Sequence, residues 1–163
     1  SAAAGAMAAA LANMVAAMSR GKKAYLAHEA ELSAAIATLA KLRESLKAAI
    51  DADAESYNQV MAAYKQAKAG ASEGGDHDSV IESALKGATN VPLSVAEQSR
   101  EVARMVEKLG PITNPKMVSD LTVAAALAQA AVTGALANVE INLASLRDEG
   151  FISATRKRAA GLR

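Results

Sequence analysis

The stretch Asn114–Leu143, NPKMVSDLTVAAALAQAAVTGALANVEINL, decides the fold. A proline-marked turn and the pair Ser119-Asp120 open it, and Gly134 is the only helix breaker in the run that follows. Alanines and aliphatics fill most of it. Asp120, Leu127, Ala131, Gly134, Asn138 and Asn142 recur at steps of seven, four and three, which puts them on one helical stripe. That stripe is small and polar rather than apolar. An unpaired amide or carboxylate inside a core costs roughly 1–3 kcal/mol, so the stripe either admits a second backbone at close range or lines a site. Small residues at Ala124, Ala128, Ala131 and Gly134 would let a facing helix approach to about 8 Å.

The rest of the chain agrees with a helical reading. Its 163 residues suffice for one domain, residues 1–163, with its own core. Half of them are hydrophobic, largely alanine, with one Phe, three Tyr and no Trp. Such a core needs close helix–helix contact, and a sandwich or barrel would want more β-branched and aromatic side chains. The expected class is therefore all-α, an antiparallel bundle with one very long helix. The low aromatic content leaves one protomer little core surplus, which predicts an obligate homodimer built on alanine-rich helices that meet through Ala124, Ala128, Ala131 and Gly134.

Helix starts and stops can be placed. Ala2–Ser19 is a first helix ended by Gly21. Lys22 to Ala69 contains neither Gly nor Pro and can run as one helix. Its stripe is Leu32, Ile36, Leu39, Leu46, Ile50, Asp53, Tyr57, Val60 and Tyr64, which sets Asp53 among core positions. Gly70–Asp78 reads as a loop. A short helix over Ser79–Thr89 and another opened by Pro92 follow, the latter stopped by Gly110-Pro111. The stretch quoted first gives a helix capped by Ser119 or Asp120 and ending near Arg147, and the basic tail gives a last one.

Several classes recede. Without Cys there is no disulfide, thiol nucleophile or thiolate metal site, which suits a cytoplasmic protein. A net charge of +1 and few aromatics give no reason to expect a nucleic-acid partner. The uncharged runs Ser1–Met18 and Leu121–Ala137 read as buried helices rather than membrane spans, which need about 20 strongly apolar residues. Asp76-His77-Asp78 lacks a second His partner, so no metal is expected.

The candidate residues each admit two readings. Asp53 is either a carboxylate neutralised by a Lys or a helix end, or an acid–base group raised in pKa by burial. Tyr57 lies one turn on. Asp51 and Glu55 fall off the stripe. Ser119 and Asp120 form a plain cap, or a helix start that meets an anion or a polar ring edge. Asn138 and Asn142 bridge helices, or read a heterocycle through paired donors and acceptors. Lys22, Lys23, Lys65 and Lys68 are solvated, or meet a polyanionic ligand.

The words SAAAGAMAAALANMV, GKKAY, DADAESYNQVMAAYK, ATNVPLSVAE, NPKMVSD and GALANVEINL, in that order, span nearly the whole chain. Together they resemble the cyclodeaminase/cyclohydrolase family of folate one-carbon enzymes. That family includes the C-terminal domain of formiminotransferase-cyclodeaminase and stand-alone methenyltetrahydrofolate cyclohydrolases. Two departures stand out: the family's glycine-rich run before the serine matched by Ser1, and Gln66-Ala67-Lys68 where the family has Leu-Pro-Lys. The resemblance implies an all-α homodimer acting on tetrahydrofolate derivatives, polyglutamylated ones included, with no metal and no cofactor beyond the folate substrate. It implies a lyase that cyclises 5-formiminotetrahydrofolate to 5,10-methenyltetrahydrofolate with loss of ammonia, or a hydrolase that opens the methenyl ring to 10-formyltetrahydrofolate. A non-catalytic dimerisation module is the remaining alternative. Under the resemblance, Asp53, Tyr57 and Asp120 are catalytic candidates. Ser1, Asn114, Ser119, Asn138, Asn142 and the four lysines are substrate-binding candidates.

Overall fold

The computed structural model describes residues 1–69 and 77–163, which form helices and no strand. The order is α1 (Ala2–Ser19), a 3-10 helix (Lys23–His28), α2 (Glu29–Ala69), α3 (His77–Leu109), 3-10 turns at Gly110–Ile112 and Pro115–Met117, α4 (Val118–Leu143) and α5 (Glu149–Ala160). The first four helices pack antiparallel around one core. Leu32, Leu39 and Leu46 of α2 meet Leu93, Val102 and Leu109 of α3, Val132, Val139 and Leu143 of α4, and Val15 of α1, all fully buried.

Alanine sets the spacing. Ala8, Ala9, Ala12 and Ala16 of α1 and Ala124, Ala128, Ala131 and Ala135 of α4 have no exposed surface. Side chains this short bring neighbouring axes to the near limit of helix packing. The small residues Ala124, Ala128 and Ala131, expected to receive a second protomer, are thus spent inside this one. At Gly5 the approach is closest: a Cβ there would stand 2.6 Å from Ser99 Oγ and 3.2 Å from Leu46 Cδ1.

Four boundaries differ from expectation, the simplest being that α4 ends at Leu143 rather than near Arg147. Gly21 adopts φ 73°, a left-handed conformation that suits glycine, and its N–H donates to Glu29 Oε2 at 2.9 Å. The chain turns there and winds tightly through Lys23–His28, so α2 starts at Glu29. The two helices expected around Pro92 are one, His77–Leu109, with Pro92 inside it. The start of α4 is not capped by Ser119 or Asp120, which lie in its first turn after Met117. Asn114 does the capping one turn earlier, its side chain accepting from the Lys116 N–H. Most of the expected Gly70–Asp78 loop lies outside the described residues, and His77 and Asp78 begin α3.

The stretches Ala2–Ser19 and Pro115–Leu143 are long and apolar enough to cross a membrane by length and composition, yet half of the first window and 39% of the second are buried in the bundle. Their outward faces are nonetheless apolar. Met7, Met14 and Met18 of α1 and Val118, Val123 and Ile141 of α4 are exposed.

Candidate functional site

Helix lengths create the site. Asn13 Nδ2 donates to Ile36 O at 2.9 Å, and Gly5 faces Leu46, so antiparallel α1 starts level with Ile50 on α2. The stripe on α2 is buried up to that level. Beyond it, Ile50 is 46% exposed and Tyr57 63% exposed. Among the described residues, this half of α2 faces α3 and α4 across a groove instead of packing against α1.

Three adjoining cavities make up the groove. The first, about 430 Å³, lies among Ser1, Ile50, Asp53, Pro92, Gly134 and Asn138. The second, about 300 Å³, shares Asp53 and Asn138 and adds Tyr57, Tyr64, Asn142 and Ser145. The third, about 460 Å³, shares Tyr64 and Ser145 and ends at Asp78, Glu82, Lys86, Arg147 and Asp148. Asp53 and Asn138 are therefore the hinge between the first two, facing each other from α2 and α4. No hydrogen bond or ion pair within the described residues engages the Asp53 carboxylate or the Asn138 amide. Ser1 comes close to α4 because Gly134 has no side chain: a Cβ there would stand 3.0 Å from Ser1 Oγ.

Asp53 corrects an expectation. Its stripe position predicted burial, but within one chain Asp53 is exposed at the groove wall, because α1 does not reach past Ile50. The Asp53 carbonyl accepts from Ser56 Oγ at 2.8 Å, which holds that turn of the helix. Tyr57, also exposed, lines the same cavity one turn on.

Asn142 shows its first partner plainly. Proline at position 92 has no N–H, so the Ala88 carbonyl four residues earlier loses its helical donor. Asn142 Nδ2 donates to that carbonyl at 2.9 Å. The bridging reading of this asparagine holds, and the residue also lines the groove.

The other candidates divide by position. Asn114 sits at the opposite end of the bundle, where its N–H donates to Ser19 Oγ at 3.1 Å. Ser119, Asp120, Lys22 and Lys23 belong to that end as well. Asp120 and Asn138 are separated by about 27 Å along α4, at 1.5 Å per residue. Lys65 and Lys68 are exposed on the last turns of α2 and line none of the three cavities.

The far end of the groove carries charges that no helical spacing announced. Lys86 Nζ donates to Asp148 Oδ2 at 2.6 Å and lies 5.7 Å from the centre of the Phe151 ring. Arg147 Nη1 donates to Asp78 Oδ2 at 2.6 Å. Glu82 accepts from the Arg147 and Asp148 N–H groups. The Lys86 ammonium, and then the Phe151 N–H, hold the Asp148 carboxyl below its ordinary value. The partners joined between α3 and the α4–α5 junction are more than sixty residues apart in sequence, so only the folded chain shows them. Among the described residues, no group of three His, Asp or Glu is placed to hold a metal ion.

This arrangement has relatives. A family model described as Formiminotransferase-cyclodeaminase matches residues 1–161. The chain is 36% identical to a methenyltetrahydrofolate cyclohydrolase of Methylorubrum extorquens, over 97% of this chain and 76% of that protein. It is 31% identical to the formimidoyltransferase-cyclodeaminase of Rattus norvegicus, over 99% of this chain but only 30% of that longer protein. The crystal structure of a formiminotetrahydrofolate cyclodeaminase from Thermotoga maritima superposes with a TM-score of 0.89 at 31% identity, covering 99% of this chain and 76% of that one. On sequence and fold alike, the chain belongs to the formiminotransferase-cyclodeaminase family.

Proposed function

We propose that this protein is a folate one-carbon enzyme that cyclises 5-formiminotetrahydrofolate to 5,10-methenyltetrahydrofolate and releases ammonia. The observation that carries the reading is the facing pair of Asp53 and Asn138, both free of partners among the described residues, in a groove made of three adjoining cavities. In this reading N10 attacks the formimino carbon, and Asp53 takes the N10 proton. The formimino nitrogen gains protons and leaves as ammonia, so substrate and one proton give the methenyl cation and ammonia. A carboxylate near Tyr57 and Asn138 suits the two proton transfers, and Asn138 orients the ring through its free amide. Hydrolysis of the methenyl group to 10-formyltetrahydrofolate is the second reading. The 36% identity to a protein named as a cyclohydrolase favours it, and the same carboxylate would then activate water.

A homodimer is part of the proposal. The apolar faces of α1 and α4 suit a second copy better than solvent, since patches of this kind mark interfaces. An antiparallel pairing of these faces would bring Asp120 of the partner subunit, with the partner's Ser119, Lys22 and Lys23, to the mouth of the groove near Ser1. The lysines would meet the glutamate tail there. Polyglutamylated tetrahydrofolates should then bind more tightly than monoglutamates, with the gain eroded by salt. Such a pairing would also bury Asp53, restoring the environment that its place on the stripe predicts.

The test is to supply purified protein with 5-formiminotetrahydrofolate and, separately, with 5,10-methenyltetrahydrofolate. Methenyl absorbance and ammonia are followed in both. Formation of absorbance together with ammonia supports the cyclodeaminase. Loss of absorbance far above the buffer rate, with no turnover of the formimino compound, selects the cyclohydrolase. No turnover of either returns the chain to a binding or dimerisation role.

A further inference from the structure

The wall that α3 gives the groove is a continuous helix with a proline inside it. Pro92 is buried and lines the first cavity, and Ala88, four residues earlier, lines the second. A proline inside a helix leaves the carbonyl at i−4 without its donor, and a buried carbonyl without a donor is costly. Here the donor comes from another helix, Asn142 Nδ2 on α4, at 2.9 Å.

That contact fixes the polarity of the Asn142 side chain. A carbonyl oxygen can only accept, so the amide nitrogen must face Ala88. We propose that the Pro92–Ala88–Asn142 lock makes Asn142 a positioning and specificity residue that offers the groove an acceptor oxygen, Oδ1. Oδ1 has no partner among the described residues, and Asn142 lines the cavity shared by Asp53 and Asn138. The ligand edge read there is a donor, an N–H or ring amino group. A reduced pterin carries such donors on its pyrimidine edge and at N8, so the assignment rests on the folate reading above. Asn138, unbound, can turn either end of its amide to the ligand, whereas Asn142 cannot. The two asparagines one turn apart are therefore not equivalent.

A double-mutant cycle over Pro92→Ala and Asn142→Leu tests this. Each protein is read by its urea midpoint and by its KM, kcat and binding for 5,10-methenyltetrahydrofolate. In the Pro92 background, Asn142→Leu lowers the midpoint, because the Ala88 carbonyl is stranded. In the Pro92→Ala background, the new backbone N–H at position 92 satisfies that carbonyl, so Asn142→Leu lowers the midpoint far less. The double variant, although stabilised relative to Asn142→Leu, still binds the folate roughly tenfold more weakly than Pro92→Ala alone, the scale of one lost hydrogen bond. The loss falls mainly on KM rather than kcat. Equal midpoint losses in both backgrounds would overturn the lock. Recovery of affinity along with stability would overturn the acceptor role and leave Asn142 purely structural. Absence of folate binding by the unaltered protein would overturn the proposed function and the ring-donor half of this inference, while the midpoints still decide the lock.

Discussion

Single residues carry more than their chemistry here, because an alanine-built core leaves no slack. Gly5 lets α1 settle against α2 and α3, and Ser99 Oγ is buried beside it without a hydrogen-bond partner. Gly5→Ala should destabilise the fold by roughly 1–3 kcal/mol, the usual cost of overpacking a tight core. Ser99→Ala should be neutral or stabilising, since it removes a hydroxyl that gives up water and gains nothing. Combining the two should recover part of the loss, and denaturant midpoints for the three variants check this. A larger loss in the pair than in Gly5→Ala would place the clash elsewhere. At this scale the sequence reads unevenly. Asp53 stood out because a carboxylate interrupts an apolar stripe, and the fold does place it at a groove wall with Asn138. Its exposure in the single chain was hidden, because the length of a neighbouring helix is not written in the stripe itself. Lys86 and Arg147 were invisible for a simpler reason: their partners Asp148 and Asp78 are 62 and 69 positions away.

Among the elements, the long helices were legible and their junctions were not. Spacing along one face shows α2 and α4 over many turns, the Gly21 stop bounds α1, and the basic tail gives α5. The same reading splits α3 at Pro92, because a proline normally ends a helix. The compensating donor lies on α4, and no local reading could supply it. The α4–α5 junction offers a pH test of the same logic. Asp148 caps α5 by accepting from the Phe151 N–H at 2.9 Å and pairs with Lys86. Its carboxyl lies below the ordinary 3.8, chiefly through the Lys86 hydrogen bond. A depressed carboxylate contributes its full stabilisation above the unfolded value and loses it as pH falls through the folded one. The first turn of α5 should therefore hold from neutral pH down to about 4 and loosen below that. Asp148→Ala should fray this turn already at neutral pH, since it removes the oxygen that accepts from the Phe151 N–H, whereas Asp148→Asn keeps an accepting oxygen and should only flatten the pH dependence. Hydrogen exchange of the α5 amides would show both, and unchanged protection in Asp148→Ala would deny the cap its role.

For the whole molecule, two polar clusters at opposite ends of a bundle become one site only if two copies meet. Asp53 and Asn138 stand at one end, Asp120 and Lys22 at the other, with the apolar faces of α1 and α4 between them. Val123→Lys on that face should shift sedimentation from dimer to monomer and abolish turnover with the helical content unchanged. A dimer that persists would move the interface elsewhere. Subunit complementation is sharper. Asp53→Asn and Asp120→Asn proteins, each inactive alone, should regain about a quarter of full activity when unfolded together and refolded at equal amounts. Half the dimers are then mixed, and each mixed dimer holds one intact site. No recovery would confine each site to one chain. All of this depends on one group moving protons in the groove, so Asp53 offers the most direct measurement. Turnover of 5-formiminotetrahydrofolate and of 5,10-methenyltetrahydrofolate is compared between the unaltered protein and Asp53→Asn, with circular dichroism and sedimentation confirming the same fold. A loss of roughly 10²-fold or more in kcat, the scale of one acid–base group, is the predicted result, and near-normal turnover in the folded variant would contradict it.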